Sequence, residues 1–555
     1  VASEIKRGLV RILANYTRLI SNVLMGLVAV RILLHETGPE GFGLIAMLGA
    51  TTGVAGLAEE TVSRSMVGEL SVALQNKEKG HFTRVFNTAT FVSAGMACFT
   101  LCVYGLIYAL IPVFEIEPHL LDAARWIVMF KAMESFCDVL LSPVFNMYVA
   151  SERMMGYNAW VIMQRTARLM AAVWLVVALD PGTSVSDALK TYAVAGAAMY
   201  IGVTLLAVLT MMLLVERRTI PRPWLARRSA LHGLVKIGKW NMLMTFAQNL
   251  HLRADQIITN LFFGLIFNSL FGWAMQLTSY VRMLTVGMTD GLDAATARLS
   301  ASKGIDSVRQ LIRHSTRLHA FVALPTGIGV MVLSEPILRV WLGVNDPEKE
   351  AMIHAAVPVM QIVVCGTTAR AVGDGWIRIL YGAGHIRTYA RPIALWSVMN
   401  PILAIALIKL LPPGAEYLGP PIAFGVVMVS LSAVLVPVVG ARCLHMRTSE
   451  LVRPAVGPAI MALVACPVLL GAMHLIETWN LAWLALTCAV YAACVTTLCV
   501  MFVMTREERT RFRGAIARRL RRPTPANAST GTAPKPHGPH AAGSIDPTGR
   551  DQGAA

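Results

Sequence analysis

The chain has 555 residues, 55% of them hydrophobic and 15% charged, with a mean hydropathy of +0.58. Soluble domains carry about 25% charged residues, so a water-soluble fold is excluded. Yet 49 Lys and Arg stand against 32 Asp and Glu, a formal charge of +17. Nine cysteines lie almost wholly in apolar stretches without a Cys-x-x-Cys pair, which argues against a zinc site or a disulfide framework.

Crossing a bilayer as a helix takes about 20 mostly apolar residues. In chain order, fourteen stretches reach that length: 12–34, 43–62, 85–112, 121–150, 158–179 and 190–215; 233–263, 266–292, 317–342, 352–381, 388–411 and 419–443; then 454–476 and 479–504. The first follows Lys6, Arg7 and Arg11, as a signal peptide would, but its length suits a retained anchor helix. The expected fold class is an all-α integral membrane protein of about fourteen transmembrane helices. Its expected parts are an N-terminal six-helix lobe (1–215), a basic linker with Pro221 and Pro223 (216–230), a second six-helix lobe (231–443) and two additional helices (444–504). Beyond them come a basic amphipathic helix (505–522) and a disordered tail (523–555). Each lobe opens with a related fragment, Phe42-Gly43 before Ala46-Met47 and Phe271-Gly272 before Ala274-Met275. Six spans per lobe makes the repeats parallel, related by an axis along the membrane normal.

Basic residues set the orientation. With the N-terminus inside, the inner loops carry Arg64, Lys77, Lys79 and Arg84, then Arg217, Arg218, Arg222, Arg227 and Arg228, then Arg298, Lys303, Arg309 and Arg313. The outer loops carry acids, among them Glu36, Glu40, Glu115, Glu117, Asp180 and Asp187. This is the positive-inside pattern with both termini cytoplasmic. The loops are too short for a soluble catalytic domain, so the chain is expected not to be an enzyme. Basic runs beside a span read as membrane contacts, and nucleic acid is not an expected partner.

The stretch 30–47, VRILLHETGPEGFGLIAM, resembles the opening signature of polysaccharide transporters. The second half agrees: a helix with Arg253 and Asp255, then SLFGWAMQL, a basic helical loop at 294–317, and SEPILRVWLG at 334–343. The chain is thereby similar to the O-antigen and other lipid-linked oligosaccharide flippases, whose superfamily also holds multidrug exporters and lipid II flippases. That resemblance implies two lobes enclosing a cavity with alternating access, in a bacterial inner membrane. It implies a polyprenyl-pyrophosphate-linked oligosaccharide as cargo, polysaccharide polymerase and chain-length machinery as partners alongside the bilayer, and no cofactor.

Charges inside the spans carry the functional expectation, because each costs about 2.5–3.5 kcal/mol at mid-membrane. Three sets have the spacing to pair on one helix face: Lys131, Glu134 and Asp138; Glu335 and Arg339; Arg370, Asp374 and Arg378. Lys131 and Arg370 still leave positive charge over. Arg18, Arg31, Arg165, Arg168, Arg253 and Arg282 have no partner on their own helix face. Guanidinium grips phosphate through paired hydrogen bonds, and in the related lipid II flippases cavity arginines do so. The expected substrate ligands are Arg18, Arg31, Arg253, Arg282, Lys131 and Arg370, with interfacial anchoring the other reading of Arg18 and Arg31. Asp255, Asp374 and Glu59 are the expected ion-coupling acids, the other reading being permanent salt bridges. A drug or cation antiporter is the competing function, disfavoured because unpaired arginines outnumber acids; a membrane glycosyltransferase or polymerase comes third.

Overall fold

The computed structural model describes residues 2–504 and Arg509, apart from 54–55, 57–65, 68, 72, 75–79, 152, 181, 223–224, 226–227, 290 and 344–346. Glu59, the amphipathic segment 505–522 (Arg509 excepted) and the tail 523–555 therefore lie outside the described residues. Every regular element is helical, and among the described residues there is no strand. In chain order the first half comprises α1 (Ala2–Thr52), α2 (His81–Leu110), α3 (Leu121–Ala150), α4 (Met154–Ala178) and α5 (Val185–Thr210). The second half comprises α6 (Arg228–Thr289), α7 (Leu292–Lys303), α8 (Ile305–Val332), α9 (Ser334–Leu342), α10 (Pro347–Gly382), α11 (Ile386–Leu410), α12 (Gly419–Ser430) and α13 (Val436–Cys443). The chain continues through α14 (Thr448–Val464), α15 (Cys466–Leu475) and α16 (Leu481–Leu498).

Among the described residues, ten helices are long and apolar enough to cross a membrane, or eleven when α8 and α9, bent by 72°, form one span. Fourteen was the expectation, and the shortfall has identifiable causes. The apolar stretch Met242–Thr289 within α6 has 48 residues. At 1.5 Å per residue it would be about 70 Å long, more than twice a hydrocarbon core. It is broken at Gly264, as α1 is at Gly38, and both glycines hold left-handed φ with extended ψ (66° and −179° at Gly38; 78° and −173° at Gly264). Glycine adopts that backbone without the Cβ clash other residues meet, and Pro39 then restarts the helix with φ already set. The α3 helix reaches 30 residues, but Arg125, Lys131, Glu134 and Asp138 remove it from a count based on apolarity.

Packing shows that each break reverses the chain. Along the first arm of α1, Tyr16 and Leu19 lie against Gly287, and Gly26 against Tyr280 and Gln276, so numbers rise on one helix as they fall on the other. Past Gly38 the direction changes: Gly43 meets Leu265 and Ser269, and Ala46 meets Gly272. These two arms run parallel with partners 226 positions apart, the same interval that separates Gly38 from Gly264. The Phe-Gly fragments noted in the sequence are 229 apart, so their structural register is three residues, nearly one turn, out of step. They are neighbours rather than equivalents, and Phe42 packs on Gly272.

Within the first half, α2–α5 pack on one another, and the two halves meet chiefly through α1 and α6. The α14–α16 helices lean on α8, around a small core of Leu333, Leu469, Tyr491 and Val495. The described residues up to Val503 form one compact unit. All nine cysteines are free.

Candidate functional site

The two halves are sealed at the end carrying the two bends. Ser269 donates from Oγ to the Pro39 carbonyl, and Asn268 Nδ2 donates to the Gly43 carbonyl at 3.3 Å. Asn260 Nδ2 reaches the Phe114 carbonyl at 2.8 Å, and Trp341 Nε1 the Leu27 carbonyl at 3.0 Å. Gly43 lies so near the Leu265 carbonyl that a methyl group has no room there. Farther along α6 and α10, away from the bends, a cavity of about 330 Å³ opens, lined by Val67, Gln248, Arg282, Thr289, Asp374 and Arg378 among others. A smaller pocket shares its Gln248, Asp374 and Ile377 and extends to His251, Arg370 and Ser432.

Three arginines and two aspartates line these two adjoining pockets. Arg282 Nε donates to Asp374 Oδ2 at 2.5 Å, and Arg370 Nε stands 3.7 Å from Asp374 Oδ1. Arg378 Nη1 lies 3.9 Å from Asp293 Oδ2 at the start of α7. The expectation that Arg282 lacks a partner holds only on its own helix, because its carboxylate comes from α10. The ladder within α10 is likewise incomplete, since Arg378 turns to Asp293 instead. Asp374 is 11% exposed and Arg282 34%, so the guanidinium is the wetter member. These five charges, among the described residues, sum to one positive charge, in pockets whose walls mix Gln248 and Thr289 with apolar side chains.

Asp255 and Arg253, two residues apart, point different ways. Arg253 Nε bonds Asn249 Oδ1 at 2.8 Å and Nη1 crosses to the Gly49 carbonyl at 2.7 Å, bracing the second arm of α1 against α6. Gly53 leaves its path clear, since a Cβ there would coincide with the guanidinium. Asp255 is fully buried and accepts from Asn400 Nδ2 at 2.8 Å. Its other oxygen, Asn400 Oδ1, Thr259 Oγ1 one turn on, and both ring nitrogens of His251 are buried without a hydrogen-bond partner. Among the described residues no cation pairs with Asp255, so the salt-bridge reading fails for it and holds for Asp374. Burying an acid beside orphaned oxygens is costly. A proton or a small hard cation, which favours oxygen ligands, would relieve that cost.

In the first half, Lys131 Nζ lies 2.5 Å from Glu134 Oε2, and Arg168 Nη2 approaches the same oxygen at 3.3 Å. Arg168 also stacks over the Tyr200 ring at 4.5 Å, and the Tyr200 hydroxyl donates to Asp138 at 2.9 Å. Lys131 is therefore held by its own helix, as its spacing predicted, and Arg168 by a neighbouring one. Arg18 stacks over Tyr157 at 5.8 Å, whereas Arg31 is exposed beside Gly343 after α9. The two stand 13 residues apart on one helix, about 20 Å, and do not converge on one phosphate. Sequence reasoning passed over Gln248, His251, Asn400 and Tyr280. The only signal for them is a polar side chain inside an apolar span, which many packing residues share.

This fold of two bend-related helical halves around a charged cavity is that of the MOP-superfamily transporters. A solved structure titled as an inward-facing multidrug resistance MATE family transporter matches with a TM-score of 0.64 at 12% identity, over 79% of this chain and 99% of its own. The lipid II flippase MurJ, inward closed, matches at 0.63 and 11% identity, over 92% and 100%. A MOP superfamily transporter from Pyrococcus furiosus matches at 0.52 and 12%, over 80% and 94%. At such identities these likenesses establish the fold alone. No curated protein sequence matches. Residues 28–345 match the family described as polysaccharide biosynthesis protein, and the chain belongs to that family.

Proposed function

We propose that the protein is a flippase for a polyprenyl-pyrophosphate-linked oligosaccharide, an O-antigen or other surface-polysaccharide repeat unit, crossing the bacterial inner membrane by alternating access. The observation that carries this reading is a pair of adjoining pockets, one lined by Arg282 and Arg378 with Asp293, the other by Arg370, and both by Asp374. Pyrophosphate presents several anionic oxygens, and guanidinium groups match them by paired hydrogen bonds. With the N-terminus inside, as the basic loops argue, the sealed bends face outward and the cavity faces the cytoplasm, where lipid-linked precursors are assembled. Two six-helix lobes, 1–215 and 231–443, then exchange sealed ends about Arg253, while 444–504 flank the second lobe.

Coupling falls to Asp255. Its uncompensated carboxyl takes a cation or proton, and Asn400, on α11, senses the change at 2.8 Å. Asp374 acts through Arg282: a pyrophosphate competing for the guanidinium frees the carboxylate. The antiporter reading finds its support in Asp255 as well, since cation exchange needs such an acid, but the cationic cavity favours anionic cargo. Deleting the gene in its host tests the choice. Loss of surface glycan with build-up of lipid-linked oligosaccharide supports the flippase; normal glycan with altered drug sensitivity supports the antiporter.

A further inference from the structure

A second cluster of charged side chains lies at the bend end, away from the pockets. Between α2 and α3 the chain runs through residues 111–120, where Phe114, Ile116 and Leu120 sink into a core shared with Leu44, Met47 and Leu48 of the second arm of α1. With those side chains turned inward, Glu117 and His119 stand exposed on either side of Pro118, whose ring fixes φ between them. Glu40, half-buried, directly follows Pro39 at the α1 bend. His119 Nδ1 lies 3.3 Å from Glu117 Oε2, and His119 Nε2 lies 3.9 Å from Glu40 Oε2. With one donor atom taken from each residue, all three atoms fall within 4.8 Å of one another.

Two observations point to a ligand here. The first is charge. Nearby in the chain, Asp122 and Asp187 share Lys190, a permanent cation. Glu40 and Glu117 bring two carboxylates together, and among the described residues neither pairs with Lys or Arg. Like charges this close repel, and a cation held between them removes the repulsion. The second is the donor set. An imidazole nitrogen with two carboxylate oxygens suits a divalent transition metal, whereas magnesium and calcium take oxygen ligands. Around a tetrahedral zinc ion, ligand atoms at about 2.0–2.2 Å from the metal stand about 3.3–3.6 Å apart. Exposed side chains already within 4.8 Å of one another reach that spacing by small rotations. Three protein ligands leave the fourth position to water.

We propose that Glu40, Glu117 and His119 bind a divalent transition metal of the zinc class, which clips the α2–α3 connection to the α1 bend. Both segments dock on the second half, since Pro39 offers its carbonyl to Ser269 and Phe114 offers its own to Asn260. The ion fixes the spacing of these two docking points on the first half, and so stabilises the sealed arrangement. The site stands apart from the charged pockets and does not depend on the cargo.

The test uses the full-length protein in lipid nanodiscs, free of any affinity tag, with His537→Ala and His540→Ala removing the tail histidines. After stripping with EDTA, zinc chloride is titrated by calorimetry, with magnesium chloride as the control. One zinc per chain should bind and magnesium should not. Zinc at about a hundredfold its dissociation constant should raise the melting temperature by a few degrees. His119→Gln and Glu40→Gln should each weaken zinc binding at least about tenfold, while melting no lower than the parent in EDTA, which reports an intact fold. Amide hydrogen exchange across 111–120 should slow on zinc binding in the parent and not in Glu40→Gln. No zinc binding, which would leave His119 an ordinary ion-pair partner of the two carboxylates, overturns the proposal. So does binding that survives both substitutions, or a response to magnesium equal to that to zinc. Zinc binding that leaves exchange across 111–120 unchanged overturns the clip.

Discussion

Replacing Gly43 with alanine probes the seal between the halves. The added methyl would overlap the Leu265 carbonyl and sit 2.8 Å from Ser269 Oγ, so the two parallel arms must separate. Forcing an extra carbon into a packed contact costs about 1–3 kcal/mol. The parting also weakens the Asn268–Gly43 and Ser269–Pro39 hydrogen bonds, each worth about 1 kcal/mol. Only the sealed state bears this cost, because the arms part when the cavity opens at the bend end. A penalty of about 2 kcal/mol moves a two-state equilibrium roughly thirtyfold. The readout is disulfide formation between cysteines introduced at Ala46 and Gly272, whose Cβ positions lie 3.1 Å apart in the sealed arrangement, in a background lacking the nine native cysteines. Cross-linking should be fast when Gly43 is retained and strongly slowed in the Gly43→Ala variant, and a cysteine-reactive probe added from the bend side should gain access in that variant. Unchanged cross-linking in Gly43→Ala would refute the close approach of these arms as the element that holds the seal.

Three further outcomes follow from the charges. Asp374→Asn removes the carboxylate that Arg282 bonds, and thermal unfolding should show a loss of about 2–4 kcal/mol, less than for a fully buried pair because Arg282 is partly wet; an unaltered melting temperature would mean the bridge is not formed. Asp255→Asn leaves the Asn400 contact possible but removes the titrating group, so transport should lose its dependence on sodium or proton gradients while farnesyl pyrophosphate binding persists; an undiminished gradient dependence would place coupling elsewhere. Arg253→Gln loses the reach to the Gly49 carbonyl, worth about 1.5–3 kcal/mol for a charged donor, and should slow exchange between sealed states more than it weakens cargo binding. Equal losses in both would make Arg253 a substrate ligand.

Much of this architecture is legible in the amino-acid sequence, because the bilayer imposes a length and an apolarity that composition alone reveals. The Gly38-Pro39 bend announces itself through residue types that do little else. The Gly264 bend does not: it lies in a run of Phe, Leu and Ile without a proline, and the two spans it joins read as neighbours separated by nothing visible. Same-helix pairs such as Lys131 with Glu134 follow from three-residue spacing, and the divergence of Arg253 from Asp255 follows from two. Pairs between helices leave no such mark. Arg282 meets Asp374 across 92 positions, and Asn400 meets Asp255 across 145. Sorting structural from functional arginines required knowing which helices are neighbours, and it changed the assignment of Arg168 and Arg282.

The central claim, that the cationic cavity carries a lipid-linked anionic saccharide across the membrane, is tested most directly in proteoliposomes. A polyprenyl-pyrophosphate-linked oligosaccharide is placed on one leaflet, and its arrival on the other is followed by a membrane-impermeant sugar-modifying reagent. The wild type should deliver it at a rate well above protein-free vesicles, and Arg282→Gln with Arg370→Gln should reduce delivery to that background although the protein remains folded. Transfer at the wild-type rate by the double variant, or none by the wild type under any imposed ion gradient, would contradict the account.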